Sequence, residues 1–202
     1  MMVVGITGGI GSGKTVVCGI FRQLGIPVYE ADAEAKKLYD TEPAIPEKIK
    51  KDFPEEVFDK KGNPDRQKLS ALVFKDEAAL KKLNRIVHPY VIRHFEEWIQ
   101  QHQSSPYILK EAAILFESGT DKGCDKIITV SAPPELRIQR TMHRDKRTKQ
   151  EVEEIIQRQW SDEEKEKRSD YVILNNEQQL VIPKVLEIHN ELLALSRKKP
   201  LA

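Results

Sequence analysis

The 202-residue sequence predicts an α/β fold: a five-stranded parallel sheet flanked by helices, with a helical insertion and a second, smaller helical excursion. Three observations predict it. The segment Gly8-Gly9-Ile10-Gly11-Ser12-Gly13-Lys14-Thr15 has the spacing G-x-x-x-x-G-K-[ST] and lies between an apolar run and a helical pattern. Four more short apolar runs follow along the chain with helical periodicity between them, as a parallel sheet covered on both faces requires. Residues 41–104 carry helical periodicity alone, as an inserted domain would.

The first strand is Met2-Val3-Val4-Gly5-Ile6-Thr7, a buried apolar run. The loop after it is glycine-rich because backbone N–H groups surround a phosphate only where no Cβ blocks the approach. A helix starts at the loop's end and turns its positive end toward the bound charge. Val16, Val17, Ile20, Phe21 and Leu24 recur at helical spacing, and Gly25 stops the run. Gly9, Gly11, Ser12, Gly13, Lys14, Thr15 and Val16 are therefore the expected contacts of ATP or GTP. Lys14 brings a point cation to the β- and γ-phosphates, and the Thr15 hydroxyl suits Mg²⁺.

Ile26-Pro27-Val28-Tyr29 predicts the second strand, with Glu30-Ala31-Asp32 at its end. Asp32 either faces a ligand beyond the strand's carboxyl end or caps the following helix. In the insertion, Lys60-Lys61-Gly62-Asn63-Pro64 is a turn, and Asp76 caps a helix bearing Ala79, Leu80, Leu83, Ile86 and Val87. His88-Pro89 is expected to end that helix, since the residue before proline avoids the helical region. A further helix carries Val91, Ile92, Phe95, Trp98 and Ile99, with both aromatics expected in the core.

Tyr107-Ile108-Leu109-Lys110-Glu111 predicts the third strand, with Ala112 to Glu117 following it. Glu111, at the strand end, is either a Mg²⁺ partner or a surface carboxylate. Lys126-Ile127-Ile128-Thr129-Val130 is the fourth strand, apolar enough to be buried on both faces. Pro134 opens a helix on which Arg137, Arg140 and Arg144 share a face. Thr148 and Glu151 form a capping box, and Ser161 and Glu164 repeat it. This basic helix pair reads either as a lid over the nucleotide's phosphates or as a solvated charged surface. Tyr171-Val172-Ile173-Leu174 is the fifth strand, and Asn175 at its end is placed to meet an adenine. The last helix spans about 177–196, followed by a frayed tail at Arg197-Lys198-Lys199. The expected boundaries are a core of 1–40, 105–135 and 170–202, an acceptor domain at 41–104 and a lid at 136–169.

Composition narrows the partners. With 33 basic and 32 acidic residues the net charge is +1, which exerts no general pull on nucleic acid. No run approaches the roughly 20 apolar residues that cross a bilayer. Cys18 and Cys124 form no CxxC pair, which suits a reducing compartment, and the start lacks a signal-peptide pattern. A cytoplasmic monomer or weak homo-oligomer is expected.

Two classes of nucleotide protein fit so far: a small-molecule kinase and a nucleotide-driven switch or motor. The guanine tetrad N-K-x-D is missing, and so is an apolar strand ending in Asp-Glu. A short chain with an inserted helical domain and an arginine-rich lid favours a kinase, which must exclude water from the transferred phosphoryl group. Other metabolite or nucleoside kinases, and a non-catalytic ATP-binding regulator, remain open on these features alone.

An ordered set of short motifs goes further. Thr7 to Lys14, Leu24-Gly25, Ala31-Asp32-Ala33, Gly62 with Asp65-Arg66, His88-Pro89, Leu115-Phe116-Glu117, and Arg140-Thr141-Met142 with Arg144-Asp145 together resemble the dephospho-CoA kinase family along nearly the whole chain. The resemblance implies a P-loop kinase fold and transfer of a phosphoryl group from ATP, with Mg²⁺, to the ribose 3′-hydroxyl of dephospho-CoA, completing coenzyme A. It implies that Asp32 takes or orients the hydroxyl proton, that Lys14 grips the β- and γ-phosphates, and that Thr15 holds Mg²⁺. It further implies that Arg140 and Arg144 act on the nucleotide and that His88 lines the acceptor pocket. The chain departs from the family at two points. Glu30-x-Asp32 stands where many members have Asp-x-Asp, and Glu111-Ala112-Ala113 stands where many have Asp-x-Pro.

Overall fold

Five short apolar runs become the strands of one sheet: β1 (Met2–Thr7), β2 (Val28–Glu30), β3 (Tyr107–Glu111), β4 (Lys126–Ser131) and β5 (Tyr171–Leu174). Their order is β2-β3-β1-β4-β5, with every pairing parallel. The computed structural model describes residues 1–198, and these are the strands among them. β1 is the middle strand, with β3 and β2 laid on one side of it and β4 and β5 on the other, so the loop after β1 opens at the point where the strand order switches sides. In register, Glu30 lies beside Glu111 and Glu111 beside Ile6. Because all strands are parallel, the residues after β1, β3 and β5 emerge at one edge of the sheet, where ligands of open α/β sheets bind.

The chain forms two compact units, one from Met1–Glu30 and the chain from His102 onward, the other from Ala31–Gln101. In the first, strand alternation sends Met2, Val4 and Ile6 to one face. There they join Tyr107, Leu109, Ile128, Val130 and Ile173 in a core closed by two helices. Helix α1 (Lys14–Gln23) contributes Val17, Cys18 and Phe21, and a long C-terminal helix (Val181–Lys198) contributes Val185, Ile188 and Leu192. That helix continues through Arg197 and Lys198, so the expected fraying does not occur there, and Lys199 lies outside the described residues. The residues following β3 run as turns rather than as a continuing strand, and bury Leu115 and Phe116.

The second unit is helical throughout its regular elements. It comprises α2 (Ala31–Thr41), α3 (Ala44–Asp52), a single 3₁₀ turn at Glu55–Val57, α4 (Arg66–Lys75) and α5 (Glu77–Gln101). Its own core gathers Leu38, Ile45, Ile49, Phe53, Val57, Leu69, Leu83, Ile86 and Val87. Helix α2, grouped with the sheet in the sequence reading, belongs by packing to this unit. Asp65 and Asp76 accept hydrogen bonds from the first N–H groups of α4 and α5 respectively.

Pro89 does not end a helix here: α5 runs unbroken for 25 residues with the proline inside it. The lost backbone bond costs on the order of 3 kcal/mol. It is offset because Leu83, Ile86 and Val87 before the proline and Tyr90 and Val91 after it pack on the same core, so both halves are held to one axis. Phe95 and Trp98 are only half-buried and stack on each other at 6.3 Å between ring centroids.

The remaining helices, all in the first unit, are α6 (Pro134–Asp145), α7 (Lys149–Gln157) and α8 (Asp162–Arg168), which places the Val181–Lys198 helix as α9. Both predicted capping boxes form, Thr148 with Glu151 and Ser161 with Glu164.

Cys18 gives this core a pH signature. Burial, reinforced by the Glu111 carboxylate, pushes its thiol from 9.0 up to about 12. The folded state retains a proton that the unfolded chain releases, so the stabilisation is complete below pH 9 and fades as pH climbs to about 12. Urea titrations at stepped pH should show the unfolding free energy dropping over that window, with a shallower drop in Cys18→Ala.

Candidate active site

The phosphate loop occupies Gly8–Gly13, between β1 and α1. Gly11 and Gly13 have φ of 77° and 97°, in the left-handed region. Alternation of hand along such a loop turns successive N–H groups to one side as an anion nest. Packing adds a second requirement for glycine: a Cβ at Gly11 would lie 2.3 Å from the Arg137 carbonyl oxygen, and one at Gly13 would lie 2.1 Å from Asn175 Nδ2. The Ser12 N–H closes a turn on the Gly9 carbonyl at 3.1 Å, and the first N–H groups of α1, at Val16 and Val17, return to Gly13.

Lys14 Nζ donates to the Gly8 carbonyl at 2.8 Å and lies 3.9 Å from Glu111 Oε1, with both side chains largely buried. β3 thus sets a carboxylate beside the loop's cation. Thr15 and Val16 are exposed on the first turn of α1. Thr15 hydroxyl and Glu111 carboxylate are hard oxygen donors of the kind Mg²⁺ accepts, and Mg²⁺ characteristically takes only one or two protein groups and completes its shell with phosphates and water. Among the described residues no group of three or more His, Cys, Asp or Glu could form a metal cage.

The basic helix α6 is closely engaged with the loop. Arg140 Nη1 reaches the carbonyls of Gly11 at 3.4 Å and Asn175 at 3.2 Å, and Nη2 pairs with Glu177 at 2.8 Å. Asn175 donates its side-chain amide to the Ser12 carbonyl at 2.9 Å, so this amide braces the loop. Arg144 is well exposed and pairs with its neighbour Asp145 at 2.7 Å. Arg137, on the same helix face as Arg140 and Arg144, is buried: Nε donates to the Ile10 carbonyl at 3.0 Å and Nη1 pairs with Asp162 at 2.9 Å. Arg140 reaches the loop at the Gly11 carbonyl, and Arg137, one turn earlier, reaches it at Ile10 while also meeting α8.

A second buried ion pair supports the strand that carries Glu111. Lys165, fully buried on α8, lies 2.9 Å from Glu117 Oε1 and donates to the Ala113 carbonyl at 3.2 Å. Glu117 Oε1 also accepts the Trp160 backbone N–H at 2.9 Å. Phe116 stacks on Trp160 at 5.9 Å, and the Arg168 guanidinium lies 4.5 Å from the Trp160 ring centroid. Sequence reasoning quoted Leu115-Phe116-Glu117 without finding Lys165, because the partner is far along the chain and no local spacing links them.

In the helical unit, Asp32 sits inside the first turn of α2, exposed, rather than at the capping position before it. Its carboxylate is favoured there by the helix's positive end. Arg66, of the Asp65-Arg66 motif, pairs with Asp40 at 2.6 Å and donates to the Lys36 carbonyl at 2.9 Å, tying α4 to α2. His88 is half-buried on α5.

A parallel sheet whose central strand opens into a phosphate nest, with a lysine, a neighbouring carboxylate and a basic helix at the same edge, defines a P-loop phosphotransferase. Residues 2–180 match the dephospho-CoA kinase family. A dephospho-CoA kinase of Fusobacterium nucleatum is 40% identical over 176 residues, covering 87% of this chain and 90% of the relative. Among solved structures, one from Thermus thermophilus superposes with a TM-score of 0.84 at 32% identity, covering 94% of this chain and 96% of that one. The dephospho-CoA kinase from Campylobacter jejuni superposes with a TM-score of 0.66 at 25% identity, covering 97% and 98%. The chain belongs to the dephospho-CoA kinase family, which phosphorylates dephospho-CoA with ATP in the last step of coenzyme A biosynthesis.

Lys165→Met should lower stability by about 3–5 kcal/mol in urea denaturation, because it strands the buried Glu117 carboxylate. Adding Glu117→Gln should recover part of the loss; no recovery would show that the charge was not the cause.

Proposed function

We propose that this chain carries the family's reaction with the residues its sequence and geometry single out. The observation that bears most weight is the Gly8–Thr15 cradle with Lys14 held at its mouth between the Gly8 carbonyl and Glu111. ATP's β- and γ-phosphates replace the Gly8 carbonyl as the acceptor of Lys14. The loop residues Gly9, Gly11, Ser12 and Gly13 and the first turn of α1, with Thr15 and Val16, complete the cradle. Arg140, anchored on the Gly11 and Asn175 carbonyls, presents a fixed guanidinium to the nucleotide, and Arg144, exposed at the end of α6, is the arginine that swings onto it. Asn175 borders the adenine side. Residues 136–169 act as the lid that excludes water, and the helical unit, with His88, takes the acceptor.

Asp32 accepts the proton of the ribose 3′-hydroxyl as that oxygen attacks the γ-phosphorus in line; the new P–O bond forms while the bond to the β-phosphate oxygen breaks, releasing ADP. Thr15 and Glu111 would hold Mg²⁺, which when bound neutralises charge on the phosphate oxygens. Positioning and charge neutralisation supply most of the acceleration, with no phospho-enzyme. Among the described residues no helix is long and apolar enough to cross a membrane. We take the enzyme to be cytoplasmic, a monomer or weak homo-oligomer whose partners are dephospho-CoA and ATP; its net charge of +1 exerts no general pull on nucleic acid.

Coupled assays offering ATP with dephospho-CoA, adenosine or a nucleoside monophosphate should show turnover with dephospho-CoA alone. Consumption of a different acceptor in preference would overturn the assignment. Asp32→Asn should lower kcat by roughly 10²–10⁴ while ADP affinity stays within a few fold. Lys14→Ala should instead reduce kcat/KM for ATP; an unchanged value would remove Lys14 from the site.

A further inference from the structure

The tip of the phosphate loop is held from outside. The Ile10 peptide unit is engaged at both ends of the residue: its N–H donates to Gln159 Oε1 at 2.9 Å, and its carbonyl accepts from Arg137 Nε at 3.0 Å. Arg137 is buried to 4% exposure and its far side pairs with Asp162 Oδ2 at 2.9 Å. The fit is close enough to exclude a side chain at the preceding residue: a Cβ on Gly9 would lie 2.0 Å from Arg137 Nη2. The Arg137 carbonyl is fixed in turn by the buried Thr141 hydroxyl at 2.8 Å. The three side chains come from the two roots of the basic arm. Arg137 stands on the first turns of α6, where the arm leaves the sheet, and Gln159 and Asp162 stand at the junction of α7 and α8, where it returns.

We propose that Gln159, Arg137 and Asp162 are positioning residues for nucleotide binding: together they clamp the Ile10 peptide and so fix the conformation in which the loop receives phosphate. A glycine-rich loop loses much conformational entropy when it is ordered, and that cost falls on ligand binding unless the protein has already imposed the shape. Here the shape is imposed by hydrogen bonds to one non-glycine residue at the loop's tip. The Ile10 N–H, committed to Gln159, is therefore not among the groups the loop offers to phosphate. The same three residues tie the roots of the arm to the loop, so that the placement of α6 and α8 and the shape of the nest change together. All three belong to the sheet unit, whereas the proposed acceptor residues Asp32 and His88 belong to the helical unit, so the clamp bears on the nucleotide.

The proposal rests on the reading that the loop binds ATP, which calorimetric binding of ADP to the unaltered protein tests by itself. Given that binding, Gln159→Leu removes the acceptor for Ile10 N–H at a half-buried position and Asp162→Ala frees Arg137 from its partner. Each should raise KM for ATP and the ADP dissociation constant about tenfold, the worth of one well-made hydrogen bond left unsatisfied. KM for dephospho-CoA should stay within twofold, and Gln159→Glu, which keeps an oxygen for Ile10, should restore ADP affinity. An equal rise of both KM values, or an ADP affinity unchanged in both Gln159→Leu and Asp162→Ala, overturns the clamp. If Asp162→Ala fails to fold, Gln159→Leu and its glutamate counterpart decide the matter.

Discussion

A buried guanidinium holds the nucleotide end of this molecule in shape. Arg137 sits between the Ile10 carbonyl and the Asp162 carboxylate, in a space that exists because residue 9 is glycine. A buried charge is tolerated only when it is paired and hydrogen-bonded. Arg137 meets both conditions by joining the loop, α6 and α8, so these three cannot separate without exposing or stranding it. Glu117 and Lys165 repeat the logic one strand away, fastening α8 to the turn that follows β3. Between them the two pairs bracket the edge of the sheet from which Lys14 and Glu111 project.

The helical unit is built on other terms. It has its own apolar core, its helices start on aspartate caps, and Arg66 joins α4 to α2 through Asp40 and the Lys36 carbonyl. The chain enters and leaves it at adjacent strands, β2 and β3, so a helical unit could be inserted in the sheet's connectivity without disturbing the central strand. The sheet unit carries the phosphate loop, Lys14 and Glu111, and the helical unit carries Asp32 and His88.

Much of this was legible in the sequence, and the reasons are local. The five strands declare themselves as apolar runs, the loop by its glycine spacing, and the capping boxes at Thr148 and Ser161 by residues three apart. The position of Glu111 at the end of a strand was readable from the apolar run before it, while its 3.9 Å approach to Lys14 was not. What escaped has a common cause. Helical periodicity placed Arg137 on one face with Arg140 and Arg144, which gives a side chain's direction but not what lies opposite it. Lys165, Gln159 and Asp162 look like ordinary polar residues on a charged helix pair, and only tertiary structure brings them to Glu117 and Ile10. Pro89 was read as a break because the local rule disfavours helix before proline; packing on both sides of it overrode that rule.

The distribution of indole rings has a practical consequence. The chain has two tryptophans, and each compact unit received one: Trp98 in the helical unit, against Phe95, and Trp160 in the sheet unit, between α7 and α8. Trp160 lies flat on Phe116 and within reach of a guanidinium, while its backbone N–H binds the carboxylate that neutralises Lys165. Its emission therefore senses the same few ångströms of structure that join the arm to the sheet. Replacing either indole with phenylalanine leaves a protein whose intrinsic fluorescence reports on one half of the molecule at a time, with no dye attached.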